Sequence, residues 1–331
     1  MEFDLIQRIR RRVATRADVK LGIGDDAALL RVPAGHDLVV TTDTLNAGVH
    51  FPLDTAAADI GWKALAVNLS DLAAMGATPA WCTLSLSLPS ADAVWLDAFL
   101  DGFLALAQVH EVALVGGDTT RCPLSITVTA HGLVPFDTAL RRDGACVGDE
   151  VWITGTLGDA AGALALLSPP SFVLSAVAGR EGARNFDMLR ARMDRPTPRV
   201  AAGMALRGLA SACIDISDGL LADLAHVLIA SDVGARIELD RAPVSDALRA
   251  AFVDDGIRRT LQLTGGDDYE LCFTAPASRH IAIASALAAC DTTATVIGRI
   301  DAEPGLRVVD ALGAAWSAAR RGWDHFAVPQ T

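Results

Sequence analysis

Short β-branched runs alternate with Ala/Leu-rich stretches of helical length along almost the whole chain, and that alternation predicts an α/β or α+β architecture. DLVVTT at 37–42 reads as a strand. Residues 59–75 read as a helix, with Asp59 as the N-cap, Gly76 just past the end and Pro79 beyond it. A strand is expected over 81–88, a helix over 92–109, a short strand over 112–115 running into Gly116-Gly117-Asp118, and a strand over 125–134 closed by Pro135. EVWIT at 150–154 then opens a second unit with the same alternation. It holds a helix near 160–167, the proline-punctuated RPTPR at 195–199, a helix to 210 and a strand to 216. A helix over 219–231 and strands over 235–239 and 270–273 follow, while 171–190 and 240–262 read only as helices and loops. A length of 331 residues suits two cores better than one, so domains of 1–140 and 146–331 are expected, with the boundary within 138–148.

The net charge of −12 and pI near 4.9 exclude nucleic acid as a partner, because a phosphate backbone requires a basic face. The six cysteines are scattered without a CxxC pair, which points to reduced thiols in a cytoplasmic protein. Ile6, Ile9 and Val13 recur at helical spacing among arginines, which marks an amphipathic first helix and not a signal peptide. The uncharged stretch 160–179 is cut by Pro169-Pro170, so no membrane segment is expected.

Many of the acidic residues stand beside glycines or hydroxyl residues in six clusters. These are Gly22-Ile23-Gly24-Asp25-Asp26, Thr41-Thr42-Asp43, Asn68-Leu69-Ser70-Asp71, Gly116-Gly117-Asp118-Thr119-Thr120, Asp215-Ile216-Ser217-Asp218-Gly219 and Gly265-Gly266-Asp267-Asp268. Each is read as a turn-like segment at or near the end of a strand or helix. Glycine lets a backbone approach a ligand closely, and aspartate offers the hard oxygens that Mg²⁺ selects. One such cluster is most simply a turn; six in one chain point to metal-bound polyphosphate.

GIGDDA at 22–27 formally fits a dinucleotide fingerprint, but two aspartates in the loop would repel bare phosphate, and the following ALLRVP reads as a strand where a helix is needed. There is no GxxxxGK[ST] loop, and Lys20 and Lys63 are the only lysines. Phosphate would therefore be neutralised by metal, with Arg121 and Arg142 the best-placed arginines. Lys63, Val67 and Asp71 share one helical face, which aims Asp71 into a site or forms a solvated stripe. The cluster at 215–219 precedes a helix whose free N–H groups favour an anion, and Ser217 either caps that helix or touches phosphate. No Ser/His/Asp or Cys/His nucleophile set is present, which suits phosphoryl transfer by positioning and charge neutralisation.

LGIGDDAAL (21–29), TTDTLNAGVHF (41–51), WKALAVNLSDLAAMGATPAW (62–81), GGDTTR (116–121), DISDGLLADLAH (215–226), GGDDYELCF (265–273) and GWDHF (322–326) occur in this order. Together they resemble the thiamine-monophosphate kinase family of the aminoimidazole-ribonucleotide-synthetase-like, or PurM-like, superfamily. The resemblance implies an N-terminal domain with a mixed sheet that pairs with a second subunit in a homodimer, and a C-terminal α/β domain that completes the site. It implies ATP as co-substrate, several Mg²⁺ ions and thiamine monophosphate as acceptor. By motif, Asp26, Thr41, Thr42, Asp43, Asp71, Asp118, Asp215 and Asp218 would hold metal; Gly117, Asp118, Arg142 and Ser217 would contact nucleotide; His50, Asp267 and Trp323 would face the thiamine moiety. The family often carries Glu at position 267 and Tyr at 323, so two substrate contacts depart from its pattern. Selenophosphate synthetase would require a reactive cysteine near the N-terminus, whereas the first here is Cys82. Aminoimidazole ribonucleotide synthetase fits the NLSDLAAMGA and GGDTT stretches less well, and a non-catalytic cation-binding scaffold would bind Mg²⁺ without turning over ATP.

Overall fold

The computed structural model describes residues 2–167 and 179–323. The chain divides into two units, Met1–Ala139 and Leu140–Thr331.

The first unit begins with α1 (Glu2–Arg12) and the antiparallel pair β1 (Val19–Leu21) and β2 (Leu29–Leu30). Then come β3 (His36–Asn46), α2 (Ala57–Ala74), β4 (Thr78–Leu88), α3 (Ala93–Val109), β5 (Ala113–Arg121) and β6 (Ser125–Pro135). The sheet order is β3-β6-β4-β5, with β4 and β5 parallel across α3 and the other pairs antiparallel. Leu84, Leu86 and Leu88 alternate with Thr83, Ser85 and Ser87, so one sheet face is apolar and is buried with Val128 and Ala130 while the other stays polar. Asp92 caps α3, its carboxylate accepting the N–H groups of Val94 and Trp95.

Three of the six acidic clusters are not turns. Thr41-Thr42-Asp43 lies in the middle of β3, Asn68–Asp71 inside α2, and Gly116 to Arg121 within β5. Pairing decides this: β4 hydrogen-bonds along β5 from Trp81 to Leu88, with one irregularity at Val115, and that ladder outweighs the turn preference of Gly-Gly-Asp. Gly117 is required there. It holds φ +147°, and a Cβ would lie 1.8 Å from the Leu84 carbonyl oxygen. Asp59 is not the N-cap of α2; the helix starts at Ala57 with no side-chain cap, and Asp59 lies in the first turn, where a carboxylate favours the helix dipole.

The second unit contains β7 (Glu150–Thr154), α4 (Asp159–Leu167), α5 (Gly179–Asp194), α6 (Val200–Leu206), β8 (Ala212–Asp215), α7 (Leu220–Ser231) and β9 (Gly234–Glu238). It continues with α8 (Asp246–Ala251), α9 (Asp255–Thr264), β10 (Leu271–Ala275), α10 (His280–Ala288), β11 (Ala294–Asp301), β12 (Gly305–Val309) and β13 (Ala315–Trp316). These strands form one sheet in the order β13-β12-β9-β11-β7-β10-β8, parallel only between β12 and β9. Val151, Ile153, Ile214, Leu224, Leu228 and Ile297 form its largest core, against α7, and a second cluster joins α4, α5 and α8 through Ala163, Leu189, Met193, Leu248 and Phe252. β9 matches the strand expected over 235–239, whereas β11, β12 and β13, all after residue 273, went unread in the sequence. Part of 171–190, and the Pro169-Pro170 break, lie outside the described residues. Among the described residues no helix is long and apolar enough to cross a membrane.

Candidate active site

In the first unit, strand alternation sorts the predicted residues by face. Thr41, Asp43 and Leu45 turn toward the helices, and the Thr41 hydroxyl donates to the carboxylate of Asp71 on α2. Thr42 turns the other way, its hydroxyl 3.2 Å from the Val128 carbonyl oxygen and 3.1 Å from the Thr129 hydroxyl. Asp118 shares that open face by register, in the row Thr44–Thr127–Ser85–Asp118, and accepts the Thr119 N–H at 2.9 Å. Asp26 is exposed in the loop before β2, its own N–H held by Asp25 at 2.9 Å.

Lys63 is not on a solvated stripe. It is 2% exposed and donates to the His50 carbonyl oxygen at 3.0 Å, while Nδ1 of His50 accepts the Asn46 N–H at 3.0 Å. The neutral His50 ring therefore carries its proton on Nε2. His50 is thus fixed in backbone and ring, its own N–H also donating to the Asn46 carbonyl oxygen at 3.0 Å.

In the second unit the predicted residues converge on one turn. β8 ends at Asp215, 3% exposed, and the chain turns through Ile216, Ser217, Asp218 and Gly219 into α7. The carbonyls of Ile216, Ser217 and Asp218 accept the N–H groups of Tyr269 (2.8 Å), Asp267 (2.8 Å) and Trp323 (2.9 Å). The N–H groups of Ser217, Asp218 and Gly219 donate to a single oxygen of Asp223 at 3.1, 3.1 and 3.0 Å. Gly266 lets the loops touch, since a Cβ there would lie 2.4 Å from the Ser217 carbonyl oxygen. Asp215, Ser217, Asp218, Asp267 and Trp323 are therefore gathered around one pinned turn. Arg121 and Arg142 are both exposed, Arg142 on the segment leading to β7.

The helix N-terminus expected to attract a ligand anion is already served by the chain's own carboxylate. Asp223 was missed in the sequence; the available signal was an acidic residue in the first turn of α7, four residues after Gly219. Burial, and next the charge of Asp218, push its pKa up to about 7 against the three amide bonds that favour ionisation. Asp268 is fully buried and is raised well above the carboxylate range by desolvation, although both its oxygens accept the Gly158 N–H at 2.9 and 3.0 Å. Glu270, 0% exposed, is held by Arg199 (2.6 and 2.5 Å), Arg192 (2.8 Å) and the Thr154 hydroxyl (2.7 Å). That network, also missed, anchors the end of the Gly265–Tyr269 loop.

Among the described residues no group of three or more His, Cys, Asp or Glu side chains is drawn together as a metal cage. The donors are instead one or two carboxylates beside hydroxyls, as at Asp71 and Thr41. Such a set fits Mg²⁺, which is commonly held through one or two carboxylates with substrate phosphates completing its shell.

Residues 24–134 match the AIR synthase related protein, N-terminal domain, and residues 147–311 match the corresponding C-terminal domain. The chain is 47% identical over 331 residues to a thiamine-monophosphate kinase of Salmonella typhimurium, covering 99% of both chains. It is similar to the crystal structure of thiamine-monophosphate kinase from Stenotrophomonas maltophilia, with 55% identity, a TM-score of 0.85 and coverage of 93% of this chain and 96% of that one. A structure described as AaThiL complexed with AMPPCP and TMP matches at 33% identity and a TM-score of 0.77, covering 98% and 97% of the two chains. With both halves matched and the likeness running end to end, the chain belongs to the thiamine-monophosphate kinase family of AIR-synthase-related proteins.

Proposed function

We propose that this chain is a thiamine-phosphate kinase, which transfers the terminal phosphoryl group of ATP to thiamine monophosphate and yields thiamine diphosphate. The observation that carries this reading is the pinned turn at 216–219. It presents Asp218, with the buried Asp215 at its base, together with Asp267 and the 54% exposed Trp323. Aspartates suit cation-bound phosphates, whereas a carboxylate beside an open aromatic face suits a planar, positively charged thiazolium.

In this reading a phosphate oxygen of thiamine monophosphate attacks the terminal phosphorus of ATP in line, the bond to the ADP oxygen breaks, and no side chain is phosphorylated. Asp26, Thr41, Thr42, Asp43, Asp71, Asp118, Asp215 and Asp218 are the proposed ligands of several Mg²⁺ ions. When bound, Mg²⁺ supplies the charge neutralisation that two approaching anions need. Gly117, Asp118, Arg142 and Ser217 are assigned to nucleotide; at Gly117 the Leu84 backbone of β4 leaves no room for a side chain. His50, Asp267 and Trp323 are assigned to the thiamine moiety.

The first unit is assigned ATP and metal binding, the second the completion of the nucleotide and substrate site. A homodimer is supported by the open sheet face of the first unit, where Leu38 and Val40 are exposed on β3 next to a row of threonines and serines. A cytoplasmic location agrees with six free cysteines, of which Cys82, Cys213 and Cys272 are buried. The test is incubation with Mg-ATP and thiamine monophosphate, followed by separation of the products. Thiamine diphosphate and ADP in equal amounts are expected; ATP binding without thiamine diphosphate would remove the assignment.

A further inference from the structure

We propose that Tyr269 is a positioning residue which orients the Asp267 carboxylate toward the thiamine portion of the substrate and thereby sets the affinity for it. This rests on the role of Asp267 proposed above. The Tyr269 hydroxyl donates to Oδ1 of Asp267 at 2.9 Å, and the tyrosine is 7% exposed. A two-bond aspartate side chain has little freedom once one oxygen is committed, so the tyrosine fixes the plane in which the other oxygen lies.

The backbone is arranged to make this pair. Asp267 at φ +68° and Tyr269 at φ +50° both take the left-handed conformation that side-chain-bearing residues disfavour, and a bulky aromatic there is uncommon. Their N–H bonds to the Ser217 and Ile216 carbonyls, both 2.8 Å, hold them in it. Asp268, between them, turns its carboxylate away to the Gly158 N–H. Residues 267 and 269 therefore meet on one side of the loop while 268 anchors the other. Unfavourable backbone retained in a doubly anchored loop marks a place where side-chain direction matters more than local stability. The same turn that carries Asp218 thus carries the carboxylate–tyrosine pair, and Trp323 joins it through its own N–H to the Asp218 carbonyl at 2.9 Å.

Tyr269→Phe keeps the ring and removes only the hydroxyl. The expected result is a rise of about tenfold in KM for thiamine monophosphate, as befits loss of a hydrogen bond to a charged group, with KM for ATP unchanged. Because the tyrosine acts through Asp267, the same substitution in an Asp267→Ala background is expected to raise that KM no further. An unchanged KM, an equal rise for both substrates, or a tyrosine effect that persists without Asp267 would overturn the proposal. Tyr269 is the chain's one tyrosine, so the unmutated protein grown with 3-fluorotyrosine gives a single ¹⁹F resonance from this position. Saturation with thiamine monophosphate is expected to move it and ATP alone is not; a resonance indifferent to thiamine monophosphate also overturns the proposal. An active unmutated kinase with an indifferent Tyr269→Phe variant would remove the role of Tyr269 and leave the kinase reading standing.

Discussion

Asp223→Asn removes one titratable group from beneath the turn that carries Ser217 and Asp218, and the consequence depends on pH. Burial and the Asp218 charge lift the folded-state pKa of Asp223 from 3.8 to about 7. A raised carboxyl pKa means that the folded protein holds a proton which the unfolded chain has already released. The stability this contributes is complete below about pH 4 and is lost as pH rises through about 7. The interval of about three pH units, at about 1.36 kcal/mol each, amounts to about 4 kcal/mol. Asparagine has no such proton, and its amide oxygen resembles the neutral acid as an acceptor for the three N–H groups. The gap in stability between the unmutated protein and Asp223→Asn should therefore fall by about 4 kcal/mol between pH 4 and pH 8. In a unit of this size that moves the difference in melting temperature by on the order of 10 °C. The assay is thermal unfolding of both proteins at matched ionic strength across that range, without Mg²⁺. A difference constant to within about 1 kcal/mol would refute the reasoning, because it would mean that three amide hydrogen bonds outweigh burial and keep the carboxylate ionised throughout.

Three further outcomes are expected. Gly117→Ala forces a Cβ to within 1.8 Å of the Leu84 carbonyl oxygen at φ +147°, so β4 and β5 must part locally; a loss of about 3 kcal/mol or more in the first unit is expected by urea denaturation. Arg199→Met removes the paired hydrogen bonds to the fully buried Glu270 and should cost about 3 kcal/mol in the same assay, with part regained when Glu270→Gln is added. Asp71→Asn should leave the melting temperature within about 2 °C, since its contact with Thr41 is only partly buried and asparagine is close to aspartate in size and shape, while turnover falls by about a hundredfold or more; turnover that does not change would take Asp71 out of the site.

The elements with a strong period were legible. The helices α2 and α3 and the strands β4, β6 and β7 lie within a few residues of their sequence reading, because apolar spacing is a local property of the chain. What was misread is the Gly-Asp segments. Gly116-Gly117-Asp118 has the composition of a turn but continues β5, because β4 offers a parallel ladder and the Val115 irregularity absorbs the mismatch. Thr41 and Thr42 look equivalent in sequence, yet alternation sends one toward Asp71 and the other to the open face.

The amino-acid sequence by itself determined the α/β class, the two-unit organisation and the identity of the acidic residues, since the order of short Gly/Asp motifs is enough to place the chain in its family. Only the tertiary structure decided what each carboxylate does. Asp223 fills the amide seat that the motif offered to a ligand, Asp268 and Glu270 serve buried anchors, and Asp267 alone of its cluster meets the tyrosine hydroxyl. The physical reason is that a carboxylate's partners, burial and ionisation depend on residues far away along the chain, and those become neighbours only once the backbone has folded.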